Sequence, residues 1–116
     1  MVKFEQFKEI ELKVAKVLEA ERVEGSEKLL KLKVDIGEES PRQILAGVGK
    51  VYQPEEIVGR EIIVIANLEP RMLMGLESQG MLLAANDGGP ASAEATAGKP
   101  VLLRPDREVP PGSPIS

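Results

Sequence analysis

Two lysines, Lys31 and Lys33, lie two positions apart in the most regular alternating segment of the chain, where apolar residues occupy positions 30, 32, 34 and 36. Residues two apart in a strand project from the same face, so both ammonium groups should lie side by side on the outer face. Ammonium groups arranged in this way are suited to binding the phosphates of a nucleic-acid backbone. The alternative is an ordinary solvated strand face, on which lysine is common.

The basic residues around this pair form a local patch. Residues 28–50 hold five bases against three acids, a local net charge of +2 in a chain whose formal net charge is −4. This overall acidity argues against a protein that coats nucleic acid through bulk charge, so any contact must come from the patch itself. The candidate RNA-binding bases are Lys28, Lys31, Lys33, Arg42 and Lys50.

The aromatic residues are too few for a single-strand binder. Only Phe4, Phe7 and Tyr52 are present, whereas binding of unstructured strands generally uses several rings on which the bases stack. Recognition of a folded RNA by its shape and backbone needs charge and hydrogen bonds more than rings. If the basic patch binds RNA, the composition therefore favours a folded RNA over an unstructured strand.

The missing residue types exclude several kinds of chemistry. The chain contains no cysteine and no histidine, which excludes disulfides, zinc sites built from these ligands and triads that need either residue. No nucleophile is grouped with a base, and the acids at positions 35, 38 and 39 lack the spacing of a calcium loop. We therefore predict a binding protein with no catalytic residue, no metal and no cofactor.

The chain shows no sign of a membrane segment or a secretory signal. No apolar stretch approaches the roughly 18 residues of a membrane span, and the first residues include Glu5 where a secretory signal would have a basic start followed by an apolar run. We expect a cytoplasmic protein that does not associate with a membrane.

The elements that would position the basic patch are short strands. Alternation predicts a strand from residue 10, with a bulge near residues 15–18, and further strands at 30–36, 42–48, 62–66 and 81–85. Residues 3–9 and 53–59 have the patterns of short helices. The order predicts an all-β fold: a five-stranded Greek-key barrel of the oligonucleotide/oligosaccharide-binding (OB) class, with a short helix between strands 3 and 4 and an extended C-terminal region.

The domain organisation follows from the same pattern. We predict a single domain over residues 1–116, with the barrel at about 10–85, a mobile loop at 86–99, and a C-terminal strand and tail at 100–116. The loop is rich in alanine and glycine, and the tail from residue 105 holds four prolines and should lie extended on the surface.

Several blocks of sequence, in order along the chain, resemble the bacterial tRNA-binding protein family. They are residues 21–32 (ERVEGSEKLLKL), 42–48 (RQILAGV), 52–56 (YQPEE), 66–71 (ANLEPR) and 75–81 (GLESQGM). This family includes free-standing dimeric tRNA-binding proteins and the C-terminal domain of many bacterial methionyl-tRNA synthetases. The resemblance, over about residues 7–109, implies a homodimeric barrel that grips the outer corner of tRNA with little sequence preference. The implied partners are tRNA, a second copy, and the synthetase catalytic region in cis or in trans.

The resemblance adds residues to the candidate RNA-facing surface. These are Asn67, Arg71, Ser78, Gln79 and Met81. Their alternative roles are a surface salt bridge from Arg71 to Glu69, and a tight turn before a strand with Met81 in the core. Many relatives also have lysines in the pattern Leu-Lys-Pro-x-Lys, where this chain has Glu69 and Met72. That departure removes two implied phosphate contacts and places a negative charge beside Arg71.

The sequence is compatible with two other functions. One is an assembly module that dimerises a synthetase, with tRNA contact secondary. The other is a peptide binder like the small export chaperones, which share the barrel but tend to lack the EKLLKL and SQGM blocks. Phe4 and Phe7 would either close the open end of the barrel or form a subunit contact, and the edge of the strand near residues 101–103 could be covered by a second copy.

Overall fold

The computed structural model of the protein describes residues 1–87 and 99–116. The chain begins with a short helix and continues mainly as strands. The elements are α1 (Phe4–Lys8), β1 (Leu12–Arg22), β2 (Leu30–Asp35), β3 (Arg42–Ala46), α2 (Pro54–Ile57), β4 (Glu61–Ile65), β5 (Arg71–Leu73), β6 (Leu76–Ser78), β7 (Met81–Leu82), β8 (Ala84–Asp87), β9 (Lys99–Leu102) and β10 (Pro114–Ile115).

The long strand β1 belongs to two sides of the barrel. Its first half pairs antiparallel with β4 and its second half with β2, so that Lys16 is opposite both Glu61 and Asp35. The register with β2 shifts between Val17 and Glu19, which marks a bulge at the position where the sequence pattern loses its phase. A bulge bends and twists a strand, and this one turns β1 from one neighbour to the other.

The sheet curls until its two ends meet. Its main path is β3-β2-β1-β4-β7, and residues 77–80, which lead into β7, lie along the other edge of β3. There the Gln79 backbone amide donates to the Gln43 carbonyl oxygen at 2.8 Å, and the Gln43 amide donates to Gln79 Oε1 at 3.0 Å. The predicted all-β class, with an OB-like barrel and a short helix between β3 and β4, is confirmed.

The core fills the barrel from the inward positions of these strands. Along β2, the apolar residues Leu30, Leu32 and Val34 are fully buried, and the residues between them are half-buried. Ile57 of α2 is also fully buried, so the helix packs its apolar residue against the barrel interior. Burial of each such side chain stabilises the fold by about 1.5–3 kcal/mol. This stabilisation determines which face of β2 points inward and which points outward.

The C-terminal part forms a separate ribbon and then returns to the barrel. Strands β8 and β9 pair antiparallel, with Asp87 opposite Lys99, so both ends of the predicted mobile loop lie in strands. The remainder of that predicted loop, residues 88–98, lies outside the described residues. The tail ends in β10, which pairs with β1 through Leu12 and Ile115.

No helix among residues 1–87 and 99–116 has the length and apolar character needed to cross a membrane.

Candidate nucleic-acid interface

The two lysines of β2 project from the outer surface of the barrel. Because their neighbours along the strand are buried inside, Lys31 and Lys33 lie on the outer face, and both are half-buried. In the register, Lys31 is opposite Leu45 of β3 and Lys33 is opposite Gln43. The basic strand face predicted from the alternation is therefore present as a geometric feature.

Lys31 has an acidic partner on the neighbouring strand. Its Nζ lies 2.5 Å from Glu21 Oε1, because the register between β1 and β2 places Glu21 directly opposite Lys31. The hydrogen bond from Lys31, together with its charge, lowers the pKa of Glu21 below its ordinary value. Lys33 makes no salt bridge among the described residues. Any phosphate that approaches Lys31 must therefore compete with Glu21, whereas Lys33 is available.

Lys28 and Lys50 extend the basic surface toward the loops, and both are exposed. The backbone at residues 47–49 lies directly against residues 27–28: the Gly49 amide donates to the Lys28 carbonyl oxygen at 2.7 Å. A Cβ added at Gly49 would lie 2.8 Å from that oxygen, so only glycine fits here. This contact places Lys28 next to the chain that leads to Lys50.

Arg71 lies on a hairpin that packs against β3. Strands β5 and β6 pair with Arg71 opposite Ser78, and Ser78 in turn bonds to Leu45, the neighbour of Lys31. Its turn has positive φ at both Met74 and Gly75 (51° and 78°), as in the tight turns that match strand twist. Arg71 is exposed and makes no salt bridge in the part of the chain that the structure describes. The alternative pairing with Glu69 is thus not formed. We call the outer face of β2, the loops that hold Lys28 and Lys50, and this hairpin together the basic face; its basic residues are Lys28, Lys31, Lys33, Lys50 and Arg71.

Ser78 and Gln79, which the resemblance implied as RNA-facing residues, also close the barrel. Ser78 is 4% exposed; its Oγ accepts from the Leu45 amide at 3.0 Å and donates to the Gly80 carbonyl at 2.9 Å. Gly80 has φ +138°, and a Cβ there would lie 2.9 Å from the Ile65 carbonyl oxygen. Met81 is 38% exposed and so is not a core residue. Contact of these side chains with RNA stays a prediction.

Arg42 is held by several internal groups. Its Nη1 donates to the carbonyl oxygens of Ala66 and Gln79, while Nε and Nη2 donate to the Glu38 carboxylate at 2.9 and 2.8 Å. The hydrogen bond between them raises the pKa of Arg42 and lowers the pKa of Glu38. We call Arg42, Gln43 and residues 77–80 the closure seam, because their hydrogen bonds join β3 to the other end of the sheet.

Asn67 is likewise engaged within the chain. Its Oδ1 accepts from the Glu11 amide at 2.9 Å, and its Nδ2 donates to the Glu9 carbonyl oxygen at 2.7 Å. These bonds tie the segment between α1 and β1 to the end of β4. RNA contact by Arg42 and Asn67 also stays a prediction.

The sequence pattern did not identify Glu21 as the partner of Lys31, since that pairing depends on a strand register that the alternation alone does not define.

The fold and this surface define the class of the protein. A closed barrel that carries cations on the outer face of β2 and on adjoining loops has the arrangement in which OB-fold proteins bind oligonucleotides. The sequence profile of the family described as "Putative tRNA binding domain" matches residues 12–114. The chain belongs to this tRNA-binding domain family.

Individual relatives agree with this assignment. The chain is 55% identical over 112 residues to the methionine–tRNA ligase of Methanothrix thermoacetophila, an alignment that covers 97% of this chain and 15% of that protein. Among solved structures, it is similar to a MetRS-related protein from Pyrococcus horikoshii, with a TM-score of 0.84, 34% identity, and coverage of 100% of this chain and 98% of that one. It is also similar to the chaperone CsaA of Bacillus anthracis, with a TM-score of 0.83, 32% identity, and coverage of 100% and 99%.

Proposed function

We propose that the chain binds tRNA as a folded object through the basic face. The observation that carries the proposal is the row formed by Lys31, Leu45, Ser78 and Arg71 across β2, β3 and the hairpin. This row joins the strand that carries Lys31 to the hairpin that carries Arg71, and Lys33, which makes no salt bridge within the described residues, lies beside Lys31 on the outer face of β2. Cations distributed over one face can follow a phosphate backbone without reading the bases.

The scarcity of aromatic rings supports a folded RNA as the ligand. Tyr52 is the one ring of the barrel, and it lies beneath the Arg60 guanidinium at 5.8 Å, while Phe4 and Phe7 belong to α1. Neither arrangement provides a stacking platform on the basic face. Shape and backbone contacts are the mode that remains.

The role in the cell would be to hold or position tRNA for a synthetase. The chain spans about 15% of the length of the methionine–tRNA ligase that it matches. A binding module of this kind would raise the effective concentration of tRNA near a catalytic region, whether the two are joined in one chain or associated. This proposal assigns binding, and no catalytic step, to the chain.

The test is a titration with bulk tRNA and with poly-uridine of equal length at several salt concentrations. We expect tighter binding of tRNA and a log–log salt slope of about −3 to −4, if roughly four phosphates are neutralised. Equal affinity for the two RNAs would contradict the proposal. Tighter binding of an unfolded polypeptide than of tRNA would favour the chaperone-like alternative instead.

We further propose that the chain forms a homodimer without RNA. Helix α1 has no buried residue, and Phe4 is 69% exposed, so Phe4 does not close the barrel. The β8–β9 ribbon also exposes apolar side chains, with Val101 at 43%. Isologous pairing would cover such surfaces and bring two basic faces onto one particle.

Light scattering at micromolar protein tests the dimer. We expect a mass twice 12.5 kDa at both low and high salt, because apolar contacts are insensitive to screening. The Phe4→Asp variant should shift the mass toward the monomer. A wild-type mass near 12.5 kDa would contradict the dimer.

A further inference from the structure

Arg22, the last residue of β1, joins three separate segments at one end of the barrel. It is opposite Leu30, whose side chain is fully buried, and paired residues point to the same side of a sheet, so Arg22 extends over the rim of the barrel interior. Its Nη1 donates to the Gly49 carbonyl oxygen at 2.9 Å and lies 3.5 Å from the Glu27 carbonyl oxygen, while Nη2 donates to Gln53 Oε1 at 3.0 Å. One rigid, planar guanidinium therefore connects the loop after β1, the turn after β3 and the start of α2.

Two of these acceptors belong to peptide groups that lead into lysines of the basic face. The Glu27 carbonyl is part of the peptide bond to Lys28. The Gly49 carbonyl is part of the peptide bond to Lys50. The Gly49 amide also donates to the Lys28 carbonyl oxygen at 2.7 Å. The Arg22 guanidinium therefore fixes the backbone from which both ammonium groups extend.

The third acceptor connects this arrangement to the core. Gln53 is the N-cap of α2, and its own amide donates to Glu56 Oε1 at 2.7 Å. The same helix buries Ile57 completely. Because Arg22 is bonded to a residue that is anchored in this way, the two loops are held relative to the barrel and not only to each other.

A second feature holds the side chain of Lys28 itself. Its methylene carbons run across the exposed Gly47: a Cβ added there would lie 2.9 Å from Lys28 Cε, 3.6 Å from Cγ and 3.7 Å from Cδ. The backbone conformation does not require glycine at this position, since its φ lies outside the left-handed region. The missing side chain instead leaves room for the Lys28 stem to lie against the backbone with its ammonium group at the surface.

We propose that Arg22 and Gly47 are positioning residues, which hold Lys28 and Lys50 in place to bind backbone phosphates of tRNA. The inference rests on the tRNA binding proposed above, and it assigns no RNA contact to either positioning residue. A long lysine side chain on a flexible loop loses conformational freedom when it binds. Holding the backbone of both lysines, and the stem of one of them, before RNA arrives removes part of that cost and raises the affinity.

The first test exchanges the guanidinium for an ammonium group of equal charge. Arg22→Lys should bind tRNA about fivefold more weakly than the wild type, because one ammonium group cannot reach acceptors on both Gly49 and Gln53 as a planar fork does. Arg107→Lys, at an exposed position outside the basic face, is the control and should bind as the wild type does. Equal affinity of Arg22→Lys and the wild type would overturn the role assigned to Arg22.

The second test displaces only the Lys28 stem. A methyl group at position 47 meets the flexible end of a side chain, whereas at position 49 it would meet backbone atoms. Gly47→Ala should therefore weaken tRNA binding by about threefold without lowering the free energy of unfolding, measured by urea denaturation. Unchanged affinity would show that the placement of the Lys28 stem has no part in binding, and it would overturn the role assigned to Gly47.

Double-mutant cycles, measured at low salt where weak binding is still detectable, distinguish positioning from direct contact. If Gly47 acts through Lys28, Gly47→Ala should have no further effect once Lys28→Ala is present. If Arg22 acts through the two lysines, Arg22→Lys should have no further effect in the Lys28→Ala/Lys50→Ala background. Losses that add in full would overturn the proposal, since Arg22 would then either bind RNA itself or act through the fold as a whole.

The last test needs no RNA and does not depend on the proposed function. Hydrogen exchange of the Gly49 amide, which bonds to the Lys28 carbonyl oxygen, should be at least fivefold faster in Arg22→Lys than in the wild type, because the local structure opens more often. The Gln79 amide, bonded to the Gln43 carbonyl oxygen, is the reference and should exchange at the same rate in both proteins. Failure of the wild type to bind tRNA would contradict the proposed function, and the exchange rates would still decide whether Arg22 holds the two loops. Unchanged exchange at Gly49 would overturn the inference.

Discussion

The basic face and the closure seam lie next to each other on the barrel, yet their polar side chains have different partners. On the basic face, Lys33 and Arg71 make no salt bridge among the described residues, and Lys31 has a single carboxylate partner at the surface. In the seam, the Ser78 hydroxyl and the Arg42 guanidinium are engaged with backbone carbonyls and amides. The cations of the basic face therefore have donors that a ligand can use, whereas the polar side chains of the closure seam make their hydrogen bonds within the protein.

This difference separates affinity from stability. A substitution on the basic face removes charge from a solvated surface, which changes the free energy of unfolding by about half a kcal/mol or less. A substitution in the seam leaves a buried backbone group without its partner, which costs about 1–3 kcal/mol. Measuring tRNA affinity and unfolding on the same variants tests whether the division holds.

The largest effect is expected from Ser78→Ala in the seam. Its loss leaves the Leu45 amide without an acceptor, so the free energy of unfolding should fall by about 2 kcal/mol, measured by urea denaturation. The affinity of the folded protein for tRNA should change less than twofold. Ser40→Ala, at an exposed serine between β2 and β3, is the matched control. A tenfold loss of affinity with unchanged stability would show that Ser78 contacts RNA directly. That result would contradict the separation between a seam that stabilises the fold and a face that binds tRNA.

A smaller effect is expected from restoring charge beside Arg71. Glu69→Lys with Met72→Lys should tighten tRNA binding by about fivefold, near 1 kcal/mol, and steepen the salt slope by one to two, since each new phosphate contact releases about one counterion. Both positions are exposed, so unfolding should be little affected. The measurement is the salt series used for the wild type. If neither affinity nor slope changes, the hairpin does not face RNA.

The smallest effect is expected from Glu21→Gln. Lys31 lowers the pKa of Glu21, so the carboxylate stays ionised throughout the neutral range and competes with phosphate for the ammonium group. Removing its charge should tighten tRNA binding by about twofold at low salt and have no effect at high salt, where surface ion pairs are screened. Glu24→Gln, at an exposed position in the following loop, is the control. Weaker binding would show that Glu21 holds Lys31 in its binding position rather than competing for it.

The sequence predicts the fold further than it predicts the site. Period-two burial determines which face of β2 is inside, and the bulge near Val17 is visible as a loss of phase, because both follow from local side-chain burial. Closure of the barrel by residues 77–80 is a long-range contact with β3, and nothing in the local pattern encodes it. For this reason the sequence predicts Ser78 to be a polar residue on the surface, whereas in the structure its side chain is buried.

The candidate site divides along the same line. The position of Lys31 and Lys33 on one face depends only on strand periodicity, and it is predicted correctly. The pairing of Lys31 with Glu21 depends on the hairpin register, and the engagement of Arg42 depends on carbonyl groups 24 and 37 residues away. Sequence spacing carries no information on such contacts, so the distinction between free and engaged cations requires the structure.

The most direct test of the account is tRNA binding by the Lys31→Glu/Lys33→Glu variant, compared with Arg104→Glu/Arg107→Glu, which makes the same change in net charge at two exposed positions outside the basic face. We predict at least tenfold weaker binding by the first variant, about 1.4 kcal/mol or more, near-wild-type binding by the second, and unfolding within about half a kcal/mol of the wild type for both. Equal affinities of the two variants, with both still folded, would contradict the claim that the outer face of β2 binds tRNA.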